Sequence, residues 1–142
     1  ELYSDIEFKS TVGDILYKAK ECFQHLDVKD NYNPEITGLW GIINPPGSRN
    51  NIHTHPYNYL SGVYYLKVPQ KSGNLVFLEP KPQAEVLSPP KVDKASIHLA
   101  HSVQWEPKEN SLIFFPSWLQ HEVQYNNSKE DRVILSFNIN WR

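Results

Sequence analysis

The chain has 142 residues, and 14 Lys and Arg against 16 Asp and Glu give it a net charge of −2. That length suits a single domain spanning residues 1–142 with a real core. The balanced charge, without a dense basic run, gives no case for a nucleic-acid or membrane-surface partner. No apolar run approaches the roughly 20 residues of a bilayer span, and no secretory leader pattern opens the chain. One cysteine, Cys22, excludes an intrachain disulfide framework and fits a reducing, cytoplasmic setting. The chain opens at Glu1 and contains no methionine, so N-terminal trimming is expected.

A helix is predicted first. Ser10 and Thr11 offer an N-cap before Val12, Ile15, Leu16, Ala19, Cys22, Phe23 and Leu26, which recur at helical spacing to about Asp27. Cys22 falls on that apolar stripe, which marks it as core rather than nucleophile. Strand signals then take over. Residues 38–43 form a short apolar run stopped by Asn44-Pro45-Pro46-Gly47, residues 51–55 a polar strand ended by Pro56, and residues 60–68 the strongest strand. Residues 75–78 follow a turn at 71–74, which predicts a hairpin with the preceding strand. The proline-rich stretch 80–94 reads as a long surface loop. Weak strands are expected at 95–98 and 103–105, and stronger ones at 111–115, 121–125 and 132–141. One helix followed by some eight strands, with eleven prolines and eighteen aromatics, predicts an antiparallel sandwich or barrel rather than a βαβ fold.

The chemistry is carried by His53-Thr-His55, His121 and Arg132. Histidines at i and i+2 of a strand project to one face, and neutral imidazole is a common transition-metal ligand. A single strand histidine is ordinarily structural, and an isolated arginine ordinarily makes a surface ion pair. Their joint appearance points instead to a metal site with an anion clamp beside it. His25, His98 and His101 fit no ligand pair on one strand face and read as structural or surface residues.

Val63-Tyr64-Tyr65-Leu66, residues 72–77, and Leu112-Ile113-Phe114-Phe115 followed by His121-Glu122-Val123-Gln124 carry a resemblance. Over residues 37–141 the chain resembles the 2-oxoglutarate/Fe(II)-dependent oxygenases, in particular a small bacterial and phage group with a His-x-His core, and its core strands are similar to those of the prolyl hydroxylases. The resemblance implies an all-β double-stranded β-helix, a cupin-like jelly roll, flanked by the N-terminal helix. It implies metal ligands at His53, His55 and His121, with no catalytic residue beyond them. Arg132 would grip the distal carboxylate of 2-oxoglutarate with help from Tyr65. Ser136 and Asn138, on the face of Arg132, and Asn51, on the face of His53, become pocket residues by alternation.

The implied cofactors are Fe(II), 2-oxoglutarate as cosubstrate and O2, in a hydroxylation that releases succinate and CO2 from the cosubstrate. The substrate would be a small molecule or peptide.

The sequence departs from the family at one ligand. His55 stands where the family has a carboxylate, so a neutral ligand replaces an anion and raises the charge of the metal centre by one. Glu79, at a strand end, is the nearest substitute carboxylate. Two other readings stay open: a metal-binding β-barrel without turnover, and a three-histidine cupin-type dioxygenase that does not use 2-oxoglutarate. Only the 2-oxoglutarate reading requires both Arg132 and Tyr65 to face the metal.

Overall fold

A computed structural model describes residues 2–81, 83, 86, 89, 90, 92 and 100–142. The expected strand at 95–98 and His98 lie outside the described residues. Two short 3-10 turns, Leu2–Ser4 and Ile6–Phe8, lead into helix α1 (Lys9–His25). The helix therefore starts before the expected Ser10-Thr11 cap. Asp5 is the reason: its side chain accepts from the Glu7 amide at 3.0 Å and nucleates the turn that runs into Lys9. At the other end Asp27 takes φ +54°, while the Val28 amide donates to the Phe23 carbonyl. That left-handed residue with a six-to-one bond ends the helix at His25.

Eight strands follow among the described residues: β1 (Pro34–Asn44), β2 (Asn50–His53), β3 (Leu60–Lys67), β4 (Leu75–Leu78), β5 (Ser102–Trp105), β6 (Leu112–Pro116), β7 (His121–Val123) and β8 (Arg132–Trp141). They form two four-stranded antiparallel sheets, ordered β1-β8-β3-β6 and β2-β7-β4-β5. Odd and even strands interleave across the two sheets, which is the double-stranded β-helix. The expected β3–β4 hairpin does not form. Lys71 at φ +65° and Gly73 at φ +91° do make a turn there, but it carries the chain from one sheet to the other. Turn chemistry fixes the reversal and says nothing about which strand the chain then pairs with.

Alternation along β8 sorts its residues between two cores. Leu135, Phe137 and Ile139 pack with Leu39, Leu60 and the Ile15, Ala19 and Phe23 stripe of α1. Burying each large apolar side chain there contributes about 1.5–3 kcal/mol. Ile134 points the other way, into the space between the sheets, with Val63, Tyr65, Leu75 and Phe115. Gly62 is required by the first core, because a Cβ there would lie 2.3 Å from the Phe137 ring and 2.6 Å from the Ile113 carbonyl. The second core is the floor of the site. No described helix is long and apolar enough to cross a membrane.

Candidate metal and anion site

His53 closes β2, His121 opens β7, and the two are cross-strand partners. His55 lies just beyond β2, not within it as expected, yet it joins them. The amide of His55 donates to the Ser117 carbonyl at 2.9 Å, which fastens it to the loop before β7. The possible ligand atoms of all three histidines lie within 4.8 Å of one another.

Second contacts set the tautomers. Nδ1 of His53 donates to the Asn51 carbonyl (2.7 Å) and Nδ1 of His121 to the Leu119 carbonyl (2.8 Å). A carbonyl can only accept, so each of these rings presents the lone pair of Nε2 to the cluster. Nε2 of His55 and Nε2 of His121 are 3.3 Å apart. Two imidazole nitrogens bound at about 2.1 Å to one metal, at right-angled to tetrahedral angles, sit about 3.0–3.4 Å apart. The observed pair already has that span.

Aromatic rings from both sheets wall the cluster. Phe115 stands 4.6 Å, centroid to centroid, from His121, and Trp40 and Phe77 close the sides. Burial pushes the His55 imidazole down to about 4, assisted by His121 and His53, and it also lowers His121. Both are therefore neutral donors at neutral pH.

A pH dependence follows. The unfolded His55 titrates near 6.5 and the folded one near 4, so between these values the unfolded chain binds more protons. Stability thus drops as the pH is lowered through that window and is unaffected by His55 above it. Thermal melts of the metal-free chain should show a steeper loss from pH 6.5 to 4 in the wild type than in His55→Ala. Equal slopes would contradict the half-buried, neutral histidine.

Arg132, the first residue of β8, is 1% exposed. Its Nη1 donates to the carbonyls of Ser72 (2.8 Å) and Gly73 (3.3 Å), and its Nη2 donates to Asn44 Oδ1 (3.0 Å). Gly73 is fixed by a different neighbour: a Cβ there would sit 2.4 Å from the Gln124 carbonyl oxygen, and its φ of +91° disfavours side chains. Nε of Arg132 is buried and has no hydrogen-bond partner among the described residues. No ion pair of the described residues includes Arg132. Burial lowers its proton affinity, yet a guanidinium stays charged. A desolvated cation with an open N–H is costly unless an anion meets it.

Tyr65, 3% exposed, shares that interior, and burial raises its hydroxyl to about 12 against the opposing pull of Arg132. It is a neutral phenol, so it offers a donor and no countercharge.

The remaining expected residues are placed as follows. Ser136 is buried opposite Trp40 and Val63. Asn138 accepts from the Ser61 hydroxyl, which in turn bonds Ser117, the residue that anchors His55. Asn51 has an exposed side chain and reaches the site through its carbonyl. Glu79 bonds the Lys81 amide and stands outside the histidine cluster, which among the described residues contains no carboxylate. His25 bonds the Glu21 carbonyl on α1.

Sequence reasoning missed Asn44, Ser72, Ser61 and Ser117. No local sequence signal marks them, because their roles arise from contacts between segments far apart in the chain. A cavity of about 590 Å³ lies elsewhere, between α1 and β6, bordered by Cys22, His25, Leu60 and Phe114. It holds no cluster of ligating groups, so donor chemistry rather than volume locates the site.

The fold and the site define a jelly roll carrying a three-histidine cluster with a buried, unneutralised arginine between its sheets. Residues 38–138 match the family model described as "Putative 2OG-Fe(II) oxygenase", and the chain belongs to that family of iron- and 2-oxoglutarate-dependent oxidoreductases. No curated protein matches the chain in sequence.

Among solved structures it is similar to a 2OG-Fe(II) oxygenase family oxidoreductase from Burkholderia pseudomallei (TM-score 0.65, 15% identity, 92% of this chain and 57% of that one). It is also similar to a Pseudomonas putida prolyl-4-hydroxylase (0.56, 20%, 92% and 64%). A third likeness is HygX from Streptomyces hygroscopicus, solved with nickel and 2-oxoglutarate bound (0.59, 13%, 96% and 69%). At these identities the likeness establishes the shared fold. The chain spans about three-fifths of the length of the first two of these proteins.

Proposed function

We propose that this chain is an Fe(II)- and 2-oxoglutarate-dependent dioxygenase that hydroxylates a small-molecule or peptide substrate. The observation that carries this reading is the orphaned Nε of Arg132 in the same jelly-roll interior as three convergent imidazoles. A metal-only barrel would have no use for a buried cation without a counterion. A three-histidine dioxygenase that does not use 2-oxoglutarate leaves the same cation unexplained.

In this reading His53, His55 and His121 hold the metal through Nε2, with the Asn51 and Leu119 carbonyls locking two of the rings. Imidazole donors suit Fe(II) among other first-row metals. Arg132 offers Nε and its remaining Nη2–H as a fork for a carboxylate, the geometry in which guanidinium binds most strongly. Tyr65 keeps its proton and can donate it as a hydrogen bond beside that fork. Phe115, Phe77 and Trp40 exclude water from the metal side, and Val63, Leu75 and Ile134 line the interior core that holds Tyr65. When bound, iron and 2-oxoglutarate supply the oxidative chemistry, decarboxylating the cosubstrate to succinate and CO2 as O2 is consumed.

An aerobic incubation with Fe(II) and 2-oxoglutarate, with and without candidate substrates, tests the proposal by succinate release. Substrate-stimulated succinate formation is expected. Iron-loaded protein that forms no succinate with any substrate tried, and binds no 2-oxoglutarate, would contradict it.

A further inference from the structure

Every partner of the Arg132 guanidinium among the described residues is neutral: two backbone carbonyls and the side-chain amide of Asn44. Asn44 is held in turn. Its Nδ2 donates to Asn50 Oδ1 at 3.1 Å, which commits Oδ1 to the arginine. Its carbonyl accepts from Nδ2 of Asn126, a side chain only 1% exposed. Asn44 and Arg132 are also cross-strand partners, at the end of β1 and the start of β8. Aspartate has nearly the shape of asparagine and would bind a buried guanidinium more strongly. It would also spend the positive charge that an incoming anion needs.

We infer that Asn44 is a positioning residue that orients Arg132 while leaving its charge unneutralised, and so sets the affinity of the site for its anionic cosubstrate. The inference rests on the 2-oxoglutarate reading and adds to it the residue that tunes the clamp. Asn50 and Asn126 supply the orientation, and the Ser72 and Gly73 carbonyls complete a cradle without formal charge.

Anaerobic calorimetric titration of 2-oxoglutarate into the Fe(II)-loaded chain tests it, together with Fe(II) affinity and the melting temperature of the metal-free form. Asn44→Asp is expected to weaken 2-oxoglutarate binding by at least about thirtyfold, as a competing carboxylate at hydrogen-bond distance from the cation should. Fe(II) affinity should stay within about twofold, and the melting temperature should not fall, because the new pair is charge-assisted. A purely structural Asn44 predicts the opposite for the cosubstrate, since the better-held arginine would bind it as well or better. Asn44→Ala provides a second measurement and should cost about tenfold in 2-oxoglutarate affinity with Fe(II) binding unchanged. Asn44→Asp within threefold of wild type, or Asn44→Ala without loss, would overturn the inference. Failure of the wild type to bind 2-oxoglutarate would overturn the proposed function and this inference with it.

Discussion

Arg132→Ala is expected to weaken 2-oxoglutarate binding by about 2–5 kcal/mol, at least about thirtyfold, while Fe(II) affinity stays near the wild-type value. The reason is positional. Arg132 opens β8 and reaches the loop carbonyls of Ser72 and Gly73, whereas the histidines sit on β2, just after it, and on β7. Removing the guanidinium takes away the only buried cation found among the described residues without touching a metal ligand. Arg132→Lys should fall between, because an ammonium keeps the charge and loses the planar fork. Paired titrations of metal and cosubstrate check both expectations. Equal losses of Fe(II) and 2-oxoglutarate in Arg132→Ala would mean that the substitution acts through the fold and not through the clamp.

His55→Ala should lower Fe(II) affinity by at least about 100-fold, the scale expected when one of three protein ligands is lost. The same change should cost the metal-free protein little stability. His55 is half-buried, and its ring packs against other histidines and aromatics at centroid distances of 5 Å and more. His55→Asp is the sharper variant. It places a carboxylate in a cluster that has none among the described residues, so metal binding should persist. The centre would then carry one positive charge fewer, and 2-oxoglutarate should bind more weakly. Metal affinity unchanged in His55→Ala would leave a two-histidine site and refute the three-imidazole set. The two arms of the experiment thus separate whether His55 binds metal from whether its neutrality matters.

Much of this arrangement is legible in the chain, and the illegible part has definable causes. The bounds of β8 could be read because an apolar run, Val133-Ile134-Leu135, passes into alternation from Ser136 to Trp141 after the polar turn residues 126–131. Period-2 spacing also put Ser136 and Asn138 on the face of Arg132. The His-x-His spacing brought both rings to one place, although His55 lies outside the strand. Its position depends on the Ser117 carbonyl, a partner 62 residues away that no local pattern reveals. Asn51 lost its expected side-chain role because the β2–β7 register shifts between Asn50 and His53. A one-residue irregularity turns the alternation argument over. Helix α1 began early because the turn Ile6–Phe8, capped by Asp5, runs straight into it, and α1 itself has no side-chain cap. The arginine could be suspected from sequence; its neutral cradle could not, since two of its three acceptors are backbone carbonyls that every residue possesses.

In the proposed function three imidazoles and Arg132 form one site for Fe(II) and 2-oxoglutarate together. Anaerobic addition of 2-oxoglutarate to the Fe(II)-loaded chain, followed by visible absorption, tests it most directly. A metal-to-ligand charge-transfer band that requires both components and is lost in His55→Ala is expected. In Arg132→Ala the band should appear only at much higher 2-oxoglutarate concentration. Iron-loaded protein that shows no such band at saturating 2-oxoglutarate would contradict a shared metal and cosubstrate site.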